Sequence, residues 1–262
     1  MTKLVFSVDV DRDVAWPQNG SHVGGSKHHF EPSFESSKKG FFALLGLVNE
    51  LLVPTTFFFE AATAKRIGPV VLGHEVACHG FDHEDFTGKK TASPLPPAQR
   101  RAILQRAKKV LEDLFESRVY GFRAPYLHWD APLLEMLVQN GFSYDSSVVQ
   151  GRLEKPPLPE LFLPNWSDQN GKPLSGYLWP LMEGKRTVED YVLAVKQAVS
   201  LNEPYVVLAT HSWHTHASVQ KGVLSEKQAQ KNVELVRELL ENLLEQNGVQ
   251  LVFGKDALQA KL

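Results

Sequence analysis

Glu75-Val76-Ala77-Cys78-His79-Gly80-Phe81-Asp82-His83 is the stretch that decides how this chain is organised. Glu75 to Cys78 is short and largely apolar, which suits a buried strand, and His79 stands at its end. Gly80 argues against one continuous helix holding both histidines, so the pair belongs to a loop at a strand end. Two imidazoles four positions apart can hold a divalent metal, because neutral imidazole is the commonest protein ligand for zinc and its neighbours. They can equally be loop histidines hydrogen-bonded to backbone carbonyls. Asp82 and Glu84 are candidates either for fixing the ring tautomers or for solvated loop charge. Two ligands do not make a site, so the remaining sequence must supply a carboxylate ligand, a base, an acid and an oxyanion donor.

Working outward from that strand, the same alternation of strand and helix extends in both directions. Upstream, Leu4 to Val10 is β-branched and bounded by charges, and the strand Thr55 to Glu60 follows a helix over Gly40 to Leu52. A short helix at Ala61 to Ile67 leads into the opening stretch. Downstream come a helix over Pro96 to Ser117, a strand at Val119 to Phe122, a helix over Ala131 to Asn140 closed by Gly141, and a strand region at Phe142 to Val149. Gln150 to Pro180 is rich in Pro, Gly, Asn and Trp, with one short strand expected near Tyr177 to Leu181. Thr187 to Leu201 is helical, Tyr205 to Thr210 is a buried strand, Ser225 caps a helix running to Gln246, and Val249 to Phe253 is a last strand. Arg12 to Lys39 is too long for an ordinary connection and is expected to be a flexible loop or a lid. There is no internal repeat or linker. The pattern predicts a parallel α/β barrel or doubly wound sheet in a single domain, residues 1–262.

Bulk properties narrow the function classes. The chain has 262 residues, 43% hydrophobic and 22% charged, with a net charge of -2. That balance gives no electrostatic reason to expect nucleic acid or an anionic membrane as partner. A single cysteine, Cys78, excludes an internal disulfide framework and fits a reducing compartment. The opening MTKLVFSVDVDRD lacks a signal peptide's apolar core and cleavage site, and no apolar run reaches the roughly 18 residues of a membrane span, so a cytoplasmic location is expected.

In a barrel the chemistry belongs at the C-terminal ends of strands, where Asp9, Asp11, His79, His83, Arg123 and His211 all fall. Asp9 and Asp11 share one face of an extended strand, so one can bind a metal while the other stays free as a base; an isolated pair of this kind is also a common polar strand end. Arg123 in Arg123-Ala124-Pro125-Tyr126 is suited to a carboxylate, with Pro125 turning the Tyr126 backbone N–H toward a site, or else is a surface arginine before a turn. His211 is a candidate general acid or a buried structural histidine, and His214 and His216 compete for the same role. Trp16, Trp129, Trp166, Trp179 and Trp213 are candidates for stacking on a sugar or for packing, and the His28-His29 pair for a further ligand or plain loop.

Taken in order, SVDVD, HGFDH, FRAPY and LATH resemble the successive motifs of the polysaccharide deacetylases, the NodB-homology carbohydrate esterases, and EVACHGFDHED resembles their atypical peptidoglycan-deacetylase and allantoinase-like branch. The resemblance runs from Leu4 to His211. It implies a distorted (β/α)7 barrel and metal-dependent hydrolysis of an N-acyl group on an amino sugar or related small amide. By motif position Asp9 matches the base, Asp11, His79 and His83 the metal ligands, Arg123 the arginine that tethers the base, Tyr126 the oxyanion donor and His211 the acid, with Trp213 and Pro125 against substrate. The metal implied is zinc, with cobalt, nickel or manganese as alternatives. The partner implied is a small or oligosaccharide N-acetylated substrate. A metal-independent ring-opening amidase and a non-catalytic carbohydrate-binding relative are the other readings of the same fold. The first motif is DVD where many members have adjacent aspartates. The usual fourth motif is not recognisable, and Asp145 in SYDSS resembles instead a structural aspartate of the atypical branch.

Overall fold

A computed structural model describes residues 1–13, 33–70 and 73–258. Trp16, His28, His29 and most of the expected lid lie outside the described residues.

Seven parallel strands form one sheet: β1 (Thr2–Val10), β2 (Thr55–Phe59), β3 (Glu75–Cys78), β4 (Gly121–Phe122), β5 (Tyr144–Asp145), β6 (Tyr205–His211) and β7 (Val249–Leu251). Strand β1 is the hub. It pairs along its length with β6, from Lys3↔Tyr205 to Asp9↔His211. Its other edge takes β7 at Thr2 to Leu4 and then β2 from Phe6↔Thr55 to Val10↔Phe59. The sheet continues through β3 and β4 to β5.

Side-chain parity separates the two faces, as a period of two requires. Leu4, Phe6, Val8 and Val10 of β1, with Phe57, Phe59, Val76 and Cys78, join the helical residues Phe41, Leu44, Leu104, Leu137, Tyr191 and Val236 in one cluster. Val5, Phe58, Ala77, Val207 and Ala209 face the other way and meet Tyr144, Leu161, Leu163 and Tyr177. The helices α1 (Glu35–Glu50), α2 (Ala61–Ile67), α3 (Pro97–Phe115), α4 (Ala131–Gln139), α5 (Val188–Ser200) and α6 (Glu226–Leu244) thus supply the outer layer, and the inner face closes on itself. This is the distorted barrel rather than the doubly wound sheet. Between β5 and β6 no strand joins this sheet among the described residues: Asn165–Ser167 and Pro173–Ser175 pair only with each other, antiparallel, and single parallel bridges, Asp145↔Glu160, Val149↔Leu163 and Tyr177↔Ala209, fill the gap.

Several expected boundaries move. Strands β4 and β5 have two residues each because Ser147 Oγ, not a ladder carbonyl, takes the Ala124 N–H at 2.7 Å. Gly121 permits the close pairing: a Cβ there would lie 2.1 Å from the Tyr144 ring. Helix α1 starts at Glu35, five residues ahead of Gly40, because the buried Asp13 carboxylate accepts the N–H groups of Ser36 (3.0 Å) and Ser37 (2.6 Å). In place of a strand over Tyr177 to Leu181, Tyr177 makes one bridge and Trp179–Met182 forms a helical turn. Ser225 is the N-cap expected of α6, and its N–H donates to the Gln228 side chain at 3.2 Å. No helix among the described residues is long and apolar enough to cross a membrane.

Candidate active site

Register brings the chemistry to one mouth of the barrel. Asp9 pairs with His211 across β1 and β6, and Phe59↔Cys78 and Cys78↔Phe122 bring His79 and Arg123 to the same level on their strands. A cavity of about 470 Å³ opens there, lined among others by Asp9, Asp11, His79, His83, Tyr126 and His211. Its size is that of a small-molecule site.

Asp11, His79 and His83 each offer a ligand atom within 4.8 Å of the others, and all three are buried. Asp11 Oδ2 lies 3.2 Å from His83 Nε2, while Asp11 Oδ1 is buried without a hydrogen-bond partner. Burial, with Asp9 and Glu60 nearby, pushes the Asp11 carboxyl well above its usual range against the pull of His211. Burial likewise lowers His79 and His83 to about 4, so both imidazoles are neutral near pH 7, as ligands must be. His79 Nδ1 is 2.8 Å from the Arg123 carbonyl, an acceptor that fixes the proton on Nδ1 and leaves Nε2 to the cavity. A carboxylate short of positive charge beside two neutral imidazoles fits a divalent cation.

Asp82 and Glu84 do not fix the ring tautomers. Asp82 pairs with Arg12, which also binds Glu60, and Glu84 accepts the Phe81 and Asp82 backbone N–H groups at 2.9 Å each. Both hold the loop that carries His83.

Asp9 is fully buried and bound on both oxygens. Arg123 donates to Oδ1 at 2.6 Å and the Tyr177 hydroxyl to Oδ2 at 2.6 Å. Burial works to raise its pKa, but the Arg123 guanidinium, His79, His211 and Tyr177 outweigh this and hold it at about 2. Arg123 is itself buried and also donates to Ser7 Oγ, Ser146 Oγ and the Ser146 carbonyl. Asp145 sits behind this clamp: it accepts from the Ser147 hydroxyl (2.7 Å) and N–H (3.0 Å), and Ser147 in turn takes the Ala124 N–H.

Of the three competing histidines, His211 lies nearest the carboxylate, with Nε2 3.9 Å from Asp9 Oδ2. Burial lowers its pKa, so in this arrangement it rests neutral, not protonated. His214 also lines the cavity but is paired with Glu183 at 3.1 Å and stacked on Trp213 at 4.3 Å. His216 is outside the lining and faces Thr215 Oγ1. Tyr126 has φ of 60°, the left-handed region, and its ring stands edge-on to His83 at 4.5 Å. Trp213 and Trp179 line the cavity, whereas Pro125 is buried against Gly80 and does not. Tyr177, Glu183 and Asp13 line it as well and carry no motif that sequence reasoning could have used.

Residues 33–144 match the profile of the family described as polysaccharide deacetylase. A peptidoglycan deacetylase-like protein of Gibberella zeae is 29% identical over 153 residues, covering 56% of this chain and 44% of that protein. The peptidoglycan deacetylase of Helicobacter pylori is 26% identical over 158 residues, covering 56% of this chain and 49% of its own. The matches thus span about half the length of these curated relatives. In fold, an allantoinase crystal structure superposes with a TM-score of 0.61 over 98% of this chain and 89% of that one, at 15% identity. With the motifs in order on a distorted parallel barrel, residues 33–144 are similar to the polysaccharide deacetylase family.

Proposed function

We propose that this domain is a metal-dependent hydrolase that removes an N-acetyl group from an amino sugar or related small amide. The observation that carries the reading is that Asp11, His79 and His83 converge on the same cavity as His211 and Asp9, which Arg123 holds from behind. Asp11 and the Nε2 atoms of the two histidines would hold a divalent ion, zinc first by its preference for imidazole, with cobalt, nickel or manganese as alternatives. Such an ion supplies Lewis acidity toward an amide carbonyl and an attacking water.

The chain's own groups do the rest. Asp9 Oδ2 accepts the proton of the attacking water, and Arg123 keeps Asp9 ionised until then. The backbone N–H of Tyr126, at the left-handed turn in the cavity wall, is the donor offered to the developing oxyanion. His211 starts neutral, receives the proton from Asp9 and hands it to the leaving nitrogen as the C–N bond breaks, a role supported by its 3.9 Å separation from Asp9. Hydroxide ends on the acyl carbon and the proton on the amine, so the step balances. Trp179 and Trp213 give a sugar ring apolar faces to rest on.

Metal analysis of the purified chain, combined with acetate release from N-acetylated chito-oligosaccharides, tests the reading. Bound metal, loss of acetate release on chelation and its return with zinc are the expected results. Turnover that survives chelation would identify a metal-independent ring-opening amidase, and a metal-free chain that hydrolyses no N-acyl substrate would identify a binding domain.

A further inference from the structure

We propose that Tyr177 is a positioning residue of this site, a side chain that fixes Asp9 and aligns His211 together. Only its effect on turnover rests on the hydrolase reading above. The phenol donates to Asp9 Oδ2 at 2.6 Å, and the same ring lies nearly parallel to the His211 imidazole, with centroids 5.2 Å apart and planes 25° from each other. Arg123 already holds the other oxygen, Oδ1, so Tyr177 removes the remaining freedom of the carboxylate to rotate. One lone pair on Oδ2 then stays free, on the side where His211 Nε2 stands 3.9 Å away.

The backbone around Tyr177 is built to hold this ring. Ala209, two residues before His211 on β6, donates to the Gly176 carbonyl (2.9 Å) and accepts from the Leu178 N–H (2.8 Å). The Tyr191 hydroxyl donates to the Tyr177 carbonyl at 2.9 Å. A glycine is required at 176 for this approach, since a Cβ there would lie 2.6 Å from the Val207 carbonyl oxygen. The segment and the strand that carries His211 are therefore stitched into one unit, and Tyr177 extends from it to Asp9 on the neighbouring strand. A tyrosine in an irregular segment thus couples base and acid in a chain whose expected fourth motif is missing.

The test uses the full chain. With tyrosines labelled at 13Cζ, the Tyr177 signal is assigned by its loss in Tyr177→Phe; it shifts in Asp9→Asn while the other tyrosines hold. With histidines labelled with 15N, the His211 signals move in Tyr177→Leu, which removes the ring, and much less in Tyr177→Phe, which keeps it. Zinc-loaded Tyr177→Phe releases acetate from tetra-N-acetylchitotetraose with kcat down by about tenfold or more and KM within about twofold, because a hydrogen bond that orients the base acts in the transition state. Gly176→Ala displaces the ring without altering it and gives the same kcat loss. A Tyr177 signal indifferent to Asp9→Asn, or wild-type kcat in Tyr177→Phe, overturns the proposal. Wild-type protein that releases no acetate from this probe counts against the hydrolase reading, while the two sets of labelled signals still decide Tyr177.

Discussion

Asp9 shows how much a single residue's role depends on partners scattered along the chain. Its carboxylate is charged at neutral pH because Arg123, 114 positions away in sequence, and Tyr177, 168 positions away, donate to it in a buried site. Asp9→Asn keeps the shape and the acceptor for Arg123 but removes the carboxylate proposed as the base. Its kcat is expected to fall by about 10²- to 10⁴-fold, the usual contribution of general-base catalysis. Metal stoichiometry should stay as in the wild type, since Asp11, His79 and His83 are untouched. Acetate release and metal analysis on one preparation check both, and a variant that turns over normally would remove Asp9 from the base role. His79, Arg123 and His211 were legible in the sequence because each stands at the end of a strand beside a short motif, and His83 because of its four-residue spacing from His79. Tyr177 was not, because it lies in a segment rich in Pro, Gly and Trp, where neither period nor cap marks a side chain. The protonation state of His211 was also beyond sequence, because it follows from burial rather than residue type.

At the level of elements, the helices and the long strands were visible from periodicity, capping residues and glycine stops. The short strands β4 and β5 were expected in the right places but too long, because both end where side chains replace the ladder. The start of α1 was hidden for a similar reason: its first N–H groups are satisfied by Asp13, more than twenty positions earlier, instead of by a neighbouring cap. Helix α1 also shapes the site from behind. Gly40 faces the turn just after His211, and a Cβ at that position would lie 1.8 Å from the Ser212 carbonyl oxygen and 2.5 Å from Thr215 Oγ1. Gly40→Ala is therefore expected to destabilise the fold by about 1–3 kcal/mol, the usual cost of overpacking, even though alanine is the better helix former. For a chain of this size that corresponds to a loss of about 2–4 °C in Tm for each kcal/mol. The same variant should lose kcat, because relief of the clash moves the Ser212 backbone and with it His211. Thermal unfolding alongside acetate release checks this, and an unchanged Tm would show that α1 shifts freely.

At the scale of the whole molecule, strand–helix alternation announced a parallel α/β fold, while the closure between β5 and β6 by isolated bridges lies below what alternation can show. That closure contains an unusual pair. Asp145 and Glu160 are bridged partners, both buried, and Glu160 Oε1 accepts the Val148 N–H at 3.1 Å. Burial first, and then the neighbouring Asp145 charge, raise the Glu160 pKa from 4.5 to about 10. The sign of the linkage follows: the folded chain keeps a proton that the unfolded chain has lost, so the unfolded state binds fewer protons and stability falls as pH rises. The contribution is fully present below about 4.5 and is lost progressively toward about 10. Glu160→Gln keeps an acceptor for Val148 but cannot titrate. Its stability relative to wild type should therefore increase with pH across that window, by no more than about 1.4 kcal/mol per pH unit, the limit for one proton. Urea unfolding of both proteins at intervals from pH 5 to pH 9 measures the difference. Parallel profiles would mean that Glu160 gives up its proton at an ordinary pH, and that the closure of the barrel is held by the backbone bridges alone.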